Sequence, residues 1–163
     1  MLRTVCVATV AVVLHLSPSA GFAQTMSTPA DRILRPGDTI QWTPLGGHKL
    51  RLGGSGLTSL TDVDKVMTLS PAPASESGGV RDWNAGQAVT ATLKDNADTQ
   101  GVANFVFTCG QHPAAMLSHP FTIEAKPAAE NVRTFVIRSE NVFKWIMKKP
   151  DGTDVQVDTT PTP

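Results

Sequence analysis

Short runs of alternating apolar and polar residues, broken by Gly, Pro, Asp and Ser, dominate this chain. Alternation marks a half-buried strand, because successive side chains on an extended backbone point to opposite faces. Residues 31–35 predict a first strand, closed by the Pro36-Gly37 turn. Residues 39–43 predict a second, with Ile40 and Trp42 on the core face and Gln41 on the other. Residues 48–52 alternate again and set His48, Leu50 and Leu52 on one face. Residues 63–69 read as a strand or a short helix, and residues 87–93 as a strand through Val89, Ala91 and Leu93. The strongest strand pattern is 102–108, with Phe105 and Phe107 on one side, and 121–125 follows it.

The intervening stretches carry turn chemistry. Residues 44–47 form a loop, 53–62 a Gly-rich connection, 70–79 a surface loop rich in Pro, Ala, Ser and Gly, and 95–101 a turn. A linker is expected at 126–130. Beyond it lie 133–138, 141–149 and 153–158, the last two joined by Pro150-Asp151-Gly152. They predict a hairpin with Phe143, Trp145 and Met147 on one face, Val155 and Val157 opposite, and a frayed tail at 159–163. Many short strands without a strong helical period predict an antiparallel β-sandwich. A small barrel is the alternative the pattern leaves open.

The first residues change the count of usable chemistry. Met1-Leu2-Arg3, an apolar run at 5–16 and small residues before Gln24 read as a secretory signal over residues 1–23, cleaved after Ala23. The apolar run is too short to span a bilayer, and no later run is longer. Export places the protein in the periplasm, or outside the cell as the alternative. Cys6 and His15 would leave with the signal, and Cys109 would then stand alone, unable to form an internal disulfide. A leftover cysteine in an exported protein is a ligand, a reactive thiol or an intermolecular bridge. The 14 basic residues less Arg3, against 14 acidic, leave a net charge of −1. No basic face suggests nucleic acid, and no basic amphipathic helix suggests lipid.

The chemistry lies after the strongest strand. Cys109 and His112 are three apart and Met116 is four further on. A thiolate, an imidazole and a thioether are soft to borderline ligands that suit copper better than magnesium or calcium, which take oxygen. One loop supplies three donors, and His48, after Gly46-Gly47, is the candidate fourth. His119 is a weaker candidate, since Ser118-His119-Pro120 reads as exposed.

The run Thr108-Cys109-Gly110-Gln111-His112-Pro113-Ala114-Ala115-Met116, with Gly37-Asp38-Thr39-Ile40-Gln41-Trp42 and His48 before it, resembles the cupredoxins, the blue copper proteins of plastocyanin, azurin, pseudoazurin and amicyanin type. The resemblance covers residues 30–126 and implies a Greek-key antiparallel β-sandwich, to which the residue pattern adds a C-terminal hairpin. It implies one type 1 copper ion held by His48, Cys109, His112 and Met116, with Gly47 as a weak axial contact similar to that of azurin. The implied function is soluble, exported single-electron transport between redox partners that dock near His112. Pro113, Ala114, Ala115, Leu117 and Leu45 would frame that port. The alternative is a copper-binding protein for delivery or storage, although no Met-rich or His-rich tract appears. An enzyme is not expected, because His48, His112 and His119 cannot furnish both a blue site and a second metal centre. Lys49 stands where many relatives carry Asn after the first His, so the bond that ties their two ligand loops is not implied here. The expected organisation is a signal at 1–23, a cupredoxin domain at 24–126 and an extension at 127–163. The resemblance does not explain that extension, which is expected to pack on the sandwich as a hairpin or to form a partner or dimer surface.

Overall fold

Trp42 and Ile40 stand at the centre of the core, both fully buried, and the strand that carries them is paired on both sides. The computed structural model describes residues 25–140 and 143–159. The expected signal at 1–23 and the end of the tail, 160–163, lie outside them.

The chain folds as an all-β sandwich. Its strands are β1 (Ile33–Leu34), β2 (Thr39–Thr43), β3 (Leu50–Gly53), β4 (Met67–Ser70), β5 (Ser75–Ser77), β6 (Val80–Asp82), β7 (Val89–Leu93), β8 (Asn104–Phe105), β9 (Thr108–Cys109), β10 (Phe121–Ile123), β11 (Thr134–Glu140), β12 (Lys144–Lys148) and β13 (Asp154–Gln156). Among the described residues one α-helix, α1 (Leu60–Val66), leads directly into β4. Six strands form the large sheet in the order β13-β12-β11-β2-β7-β4. Four form a second sheet, β5-β6-β3-β9, and three form a third, β1-β10-β8. The sheets share one core in which Phe107 meets Trp42 at 5.4 Å, Trp145 at 5.6 Å and Phe121 at 5.9 Å between ring centroids. Edge and tilted ring packing of this kind adds to the burial of large apolar area. Among the described residues no helix is long and apolar enough to cross a membrane.

Several elements differ instructively from their sequence patterns. The 102–108 run is two strands, because the chain changes sheet within it: β8 pairs with β10, and β9 pairs with β3. The N–H groups freed at the crossing go to side-chain hydroxyls, that of Val106 to Thr58 at 2.8 Å and that of Phe107 to Ser118 at 3.0 Å. Phe105 and Phe107 still share the buried side. At 63–69 the helix and strand readings both apply, in succession. Ser59 caps α1 by accepting the Asp62 N–H at 3.1 Å, a standard helix start for a short hydroxyl side chain. The 70–79 segment holds β5, which pairs with β6 as a hairpin whose turn is Gly78-Gly79 with φ of +59° and +75°. Consecutive left-handed residues match the twist of a two-residue hairpin turn, and glycine adopts them without penalty.

The segment after residue 126 is not a hairpin laid on the sandwich. β11 runs parallel to β2 in the register Thr134↔Thr39 to Arg138↔Thr43, and β12 and β13 extend the same sheet by antiparallel pairing. The 144–156 hairpin is present as the edge of that sheet. Asp38, fully buried, anchors the join. It accepts the backbone N–H of Arg133 at 2.9 Å, the Arg133 Nη2 at 2.6 Å and the N–H of Arg35 at 2.9 Å. Trp145 and Met147 face inward as the alternation predicts, but Phe143 does not join them. It precedes β12, has φ of +54° and is exposed.

Candidate metal centre

Two loops meet at the end of the sandwich where β3 pairs with β9. The register sets Cys109 opposite Leu50, two residues after His48. His48 is held from both sides by its backbone: its N–H donates to the Leu45 carbonyl at 2.8 Å, and its carbonyl accepts from the Gly86 N–H at 2.9 Å. After Cys109 the chain folds back tightly. The His112 N–H donates to the Cys109 carbonyl at 3.2 Å, and the Met116 N–H donates to the His112 carbonyl at 3.0 Å. The Thr108 hydroxyl lies 2.8 Å from the Pro113 carbonyl and 3.1 Å from that of Met116, closing the loop from beneath.

These constraints bring three of the four expected donors together. The Cys109 Sγ lies 3.7 Å from Nδ1 of His48 and 3.7 Å from Nδ1 of His112. All three ligand atoms lie within 4.8 Å of one another, so the group could hold a metal ion. The spacing fits such an ion. Metal–sulfur and metal–nitrogen bonds of about 2.3 and 2.0 Å, at angles of about 110–120°, separate sulfur from nitrogen by about 3.5–3.8 Å. The group contains no carboxylate among the described residues, so its donor chemistry is that of a soft or borderline metal. Cys109 and Met116 are fully buried, His48 is buried and His112 is half-buried. Gly47 sits in an exposed turn, with open space where a Cβ would stand. His119 is outside the group. It is half-buried rather than exposed, and its N–H donates to the Val157 carbonyl at 2.7 Å.

Burial, and then the charge of His112, push the His48 imidazole below its usual pKa, while a hydrogen bond to the Glu140 backbone pulls partly back. The net direction favours the neutral ring, which is the form a metal takes. A backbone hydrogen bond such as that to Glu140 fixes a ligating ring's tautomer and orientation.

The two ligand loops are tied without an Asn after His48. The Gly110 N–H donates to the Lys49 carbonyl at 3.0 Å. Asp82 gathers the Lys49 ammonium at 3.2 Å and the Arg51 guanidinium at 2.8 and 2.6 Å.

Four residues around the site escape the sequence reading: Asp82, Glu140, Phe143 and Trp145. The Trp145 Nε1 donates to the Met116 carbonyl at 3.0 Å. The Phe143 ring centroid lies 4.4 Å from that of His112 and 5.9 Å from that of His48. Three of the four belong to the segment after residue 126. The shared hairpin face of 143, 145 and 147 is the signal for two of them, and it sets Phe143 beside Trp145 and Met147 rather than at the histidines.

Comparison of the chain with family models, curated proteins and solved structures returns no match.

Proposed function

We propose that this protein holds one copper ion between His48, Cys109 and His112, with Met116 as a weak fourth ligand, and carries single electrons between redox partners as the cupredoxins do. The observation that carries this reading is the trio of one thiol and two imidazole Nδ1 atoms, each 3.7 Å from the sulfur, enclosed at the end of a β-sandwich. A thiolate with two imidazoles and a weak thioether is the donor set of blue-copper electron transfer, and copper bound there would supply a one-electron couple.

The chain's own groups suit that task. Both ligand loops are fastened through their backbones, so the donors stay in place when the charge between them changes. Full burial of Cys109 keeps water from the sulfur. His112, half-buried, gives the site its outward side, and weak redox docking needs only a small interface there. The reading has the protein pass electrons rather than turn over a substrate, and the expected signal at 1–23 would send it to the periplasm. The same fastening argues against delivery, because release of an ion from buried donors requires the loop to open.

The test is addition of Cu(II) to the purified protein, followed by its visible spectrum, with Cys109→Ser as control. The expected result is an intense band near about 600 nm at one equivalent of copper, absent in the variant. Colourless binding would favour delivery or storage, and absence of binding would overturn the reading.

A further inference from the structure

Phe143 is a large aromatic residue that the core does not use. It is 47% exposed, and its φ of +54° lies in the left-handed region that bulky side chains rarely enter. Backbone strain of this kind persists where the surroundings over-determine it, and it gathers at functional sites. What Phe143 touches is the histidine pair. Its ring tilts 55° to His112 and 82° to His48, and the two imidazoles lie 5.1 Å apart, so three rings meet pairwise beside the Cys109 sulfur. The chain on each side is anchored to the same site. Glu140 precedes Phe143 and takes the His48 hydrogen bond through its backbone, while Trp145 follows and holds the Met116 carbonyl.

Resting on the copper reading above, we infer that Phe143 is a positioning residue of the metal centre. Its ring fixes the tilt of His112 and closes the outward side of the His48–Cys109–His112 group to water and small ligands. The segment after residue 126 thereby supplies the outer wall of a site whose ligands all come from residues before it. The strained φ is what aims the ring. An extended residue at 143 would continue the alternation into β12 and carry the side chain toward the core with Trp145 and Met147.

The experiment compares the full chain with Phe143→Gly and Phe143→Trp. Glycine accepts a left-handed φ without penalty, so Phe143→Gly removes the ring while relieving the backbone. Thermal melting checks that the variant folds. In the metal-free proteins, the ring protons of His112 are followed by NMR, and Cys109 is challenged with iodoacetamide. The His112 protons of the parent should sit upfield, shifted by the neighbouring ring, and should move downfield in Phe143→Gly. Alkylation should be about tenfold faster in that variant, since local opening governs access to a buried group. In the copper-loaded proteins, azide should leave the parent's thiolate band unchanged and shift it in Phe143→Gly. Phe143→Trp should restore the parent's behaviour in all three measurements. Unchanged His112 signals, alkylation rate and azide response in Phe143→Gly would overturn the inference while leaving the copper reading intact. A parent that takes up no copper would overturn that reading, and the two metal-free measurements would still decide the role of Phe143.

Discussion

The indole nitrogen of Trp145 donates to the carbonyl of Met116 at 3.0 Å, so β12 holds the residue that ends the ligand loop. That carbonyl also lies 3.1 Å from the Thr108 hydroxyl, which leaves it partly satisfied when the indole is lost. Trp145→Phe keeps an aromatic ring in the core and removes the donor. The expected cost is about 1–2 kcal/mol of stability, the range for one buried hydrogen bond and some lost ring volume. On the proposed copper reading, a loaded ion should leave faster in the variant when a chelator is added. Retention equal to the parent's would show that Met116 needs no anchor from β12.

Asp38 gives a larger effect. Its carboxylate is fully buried, and it holds Arg133 and two backbone N–H groups. Removing one partner of such a pair leaves an uncompensated charge and unsatisfied donors, with a typical cost of about 3–5 kcal/mol. Asp38→Ala should therefore lower stability in denaturant titrations by about 3 kcal/mol. Arg133→Ala should also destabilise, since it leaves the fully buried Asp38 carboxylate to its two backbone N–H partners alone. A double-mutant cycle should return a coupling well above that of an exposed pair. Coupling near zero would mean that Asp38 acts only through its backbone partners.

Gly53 ends β3 with φ of +77°, and a Cβ there would press into the Gly79 carbonyl oxygen and stand 2.7 Å from Leu60. The first obstacle is backbone of the paired β5–β6 hairpin and cannot turn aside. Gly53→Ala combines a left-handed penalty with overpacking, on the order of 3 kcal/mol together. Circular dichroism melts should show the loss directly. A melt within a degree or two of the parent's would mean that the hairpin shifts at little cost.

Acid should release a contact between the two ends of the described chain. Asp31 accepts the N–H and hydroxyl of Thr28, both at 2.8 Å, and the Lys149 ammonium at 2.9 Å. Burial pushes its carboxyl up, but these three partners outweigh it and bring the pKa from 3.8 to about 2. Between those values the unfolded chain binds more protons than the folded one. The stabilisation is therefore complete above pH 3.8 and is lost as pH falls toward 2. Stability measured down that window should drop in the parent, and Asp31→Asn should flatten the drop. An unchanged slope would assign the acid loss to other carboxylates.

Much of the candidate site is legible in the order of residues, because the residues that could hold a metal are chemically distinctive and two of the three grouped ones, Cys109 and His112, lie in one short loop. Cys109, His112 and Met116 stand out by type and spacing, and the structure brings the Cys109 sulfur and the His112 ring together. His48 is legible through the Gly-Gly loop and the alternation that follows it. Gly37-Asp38-Thr39 is visible as a strand opener, but its role as a clamp on Arg133 is not, because the partner lies far along the chain. Phe143 is misread for a local reason. Positions 143, 145 and 147 share one face of an extended chain, and one left-handed residue is enough to take the first of them off the strand. The β5–β6 hairpin is hidden because all three residues of β5 are exposed, leaving no alternation to see. Parallel pairing of β11 with β2 has no local signature at all, since it depends on a long crossover rather than a turn.

That pairing also orders events in time. Thr134 lies 95 positions after its partner Thr39 (134 less 39), so a strand in the middle of the large sheet waits for nearly the whole chain before one of its sides is covered. Contacts that close such long loops form slowly. Until they form, β2 presents a row of unpaired N–H and C=O groups that any other chain's strand can join. A polypeptide halted before Thr134 keeps that adhesive edge, and a complete one cannot hide it until its last strands have been made.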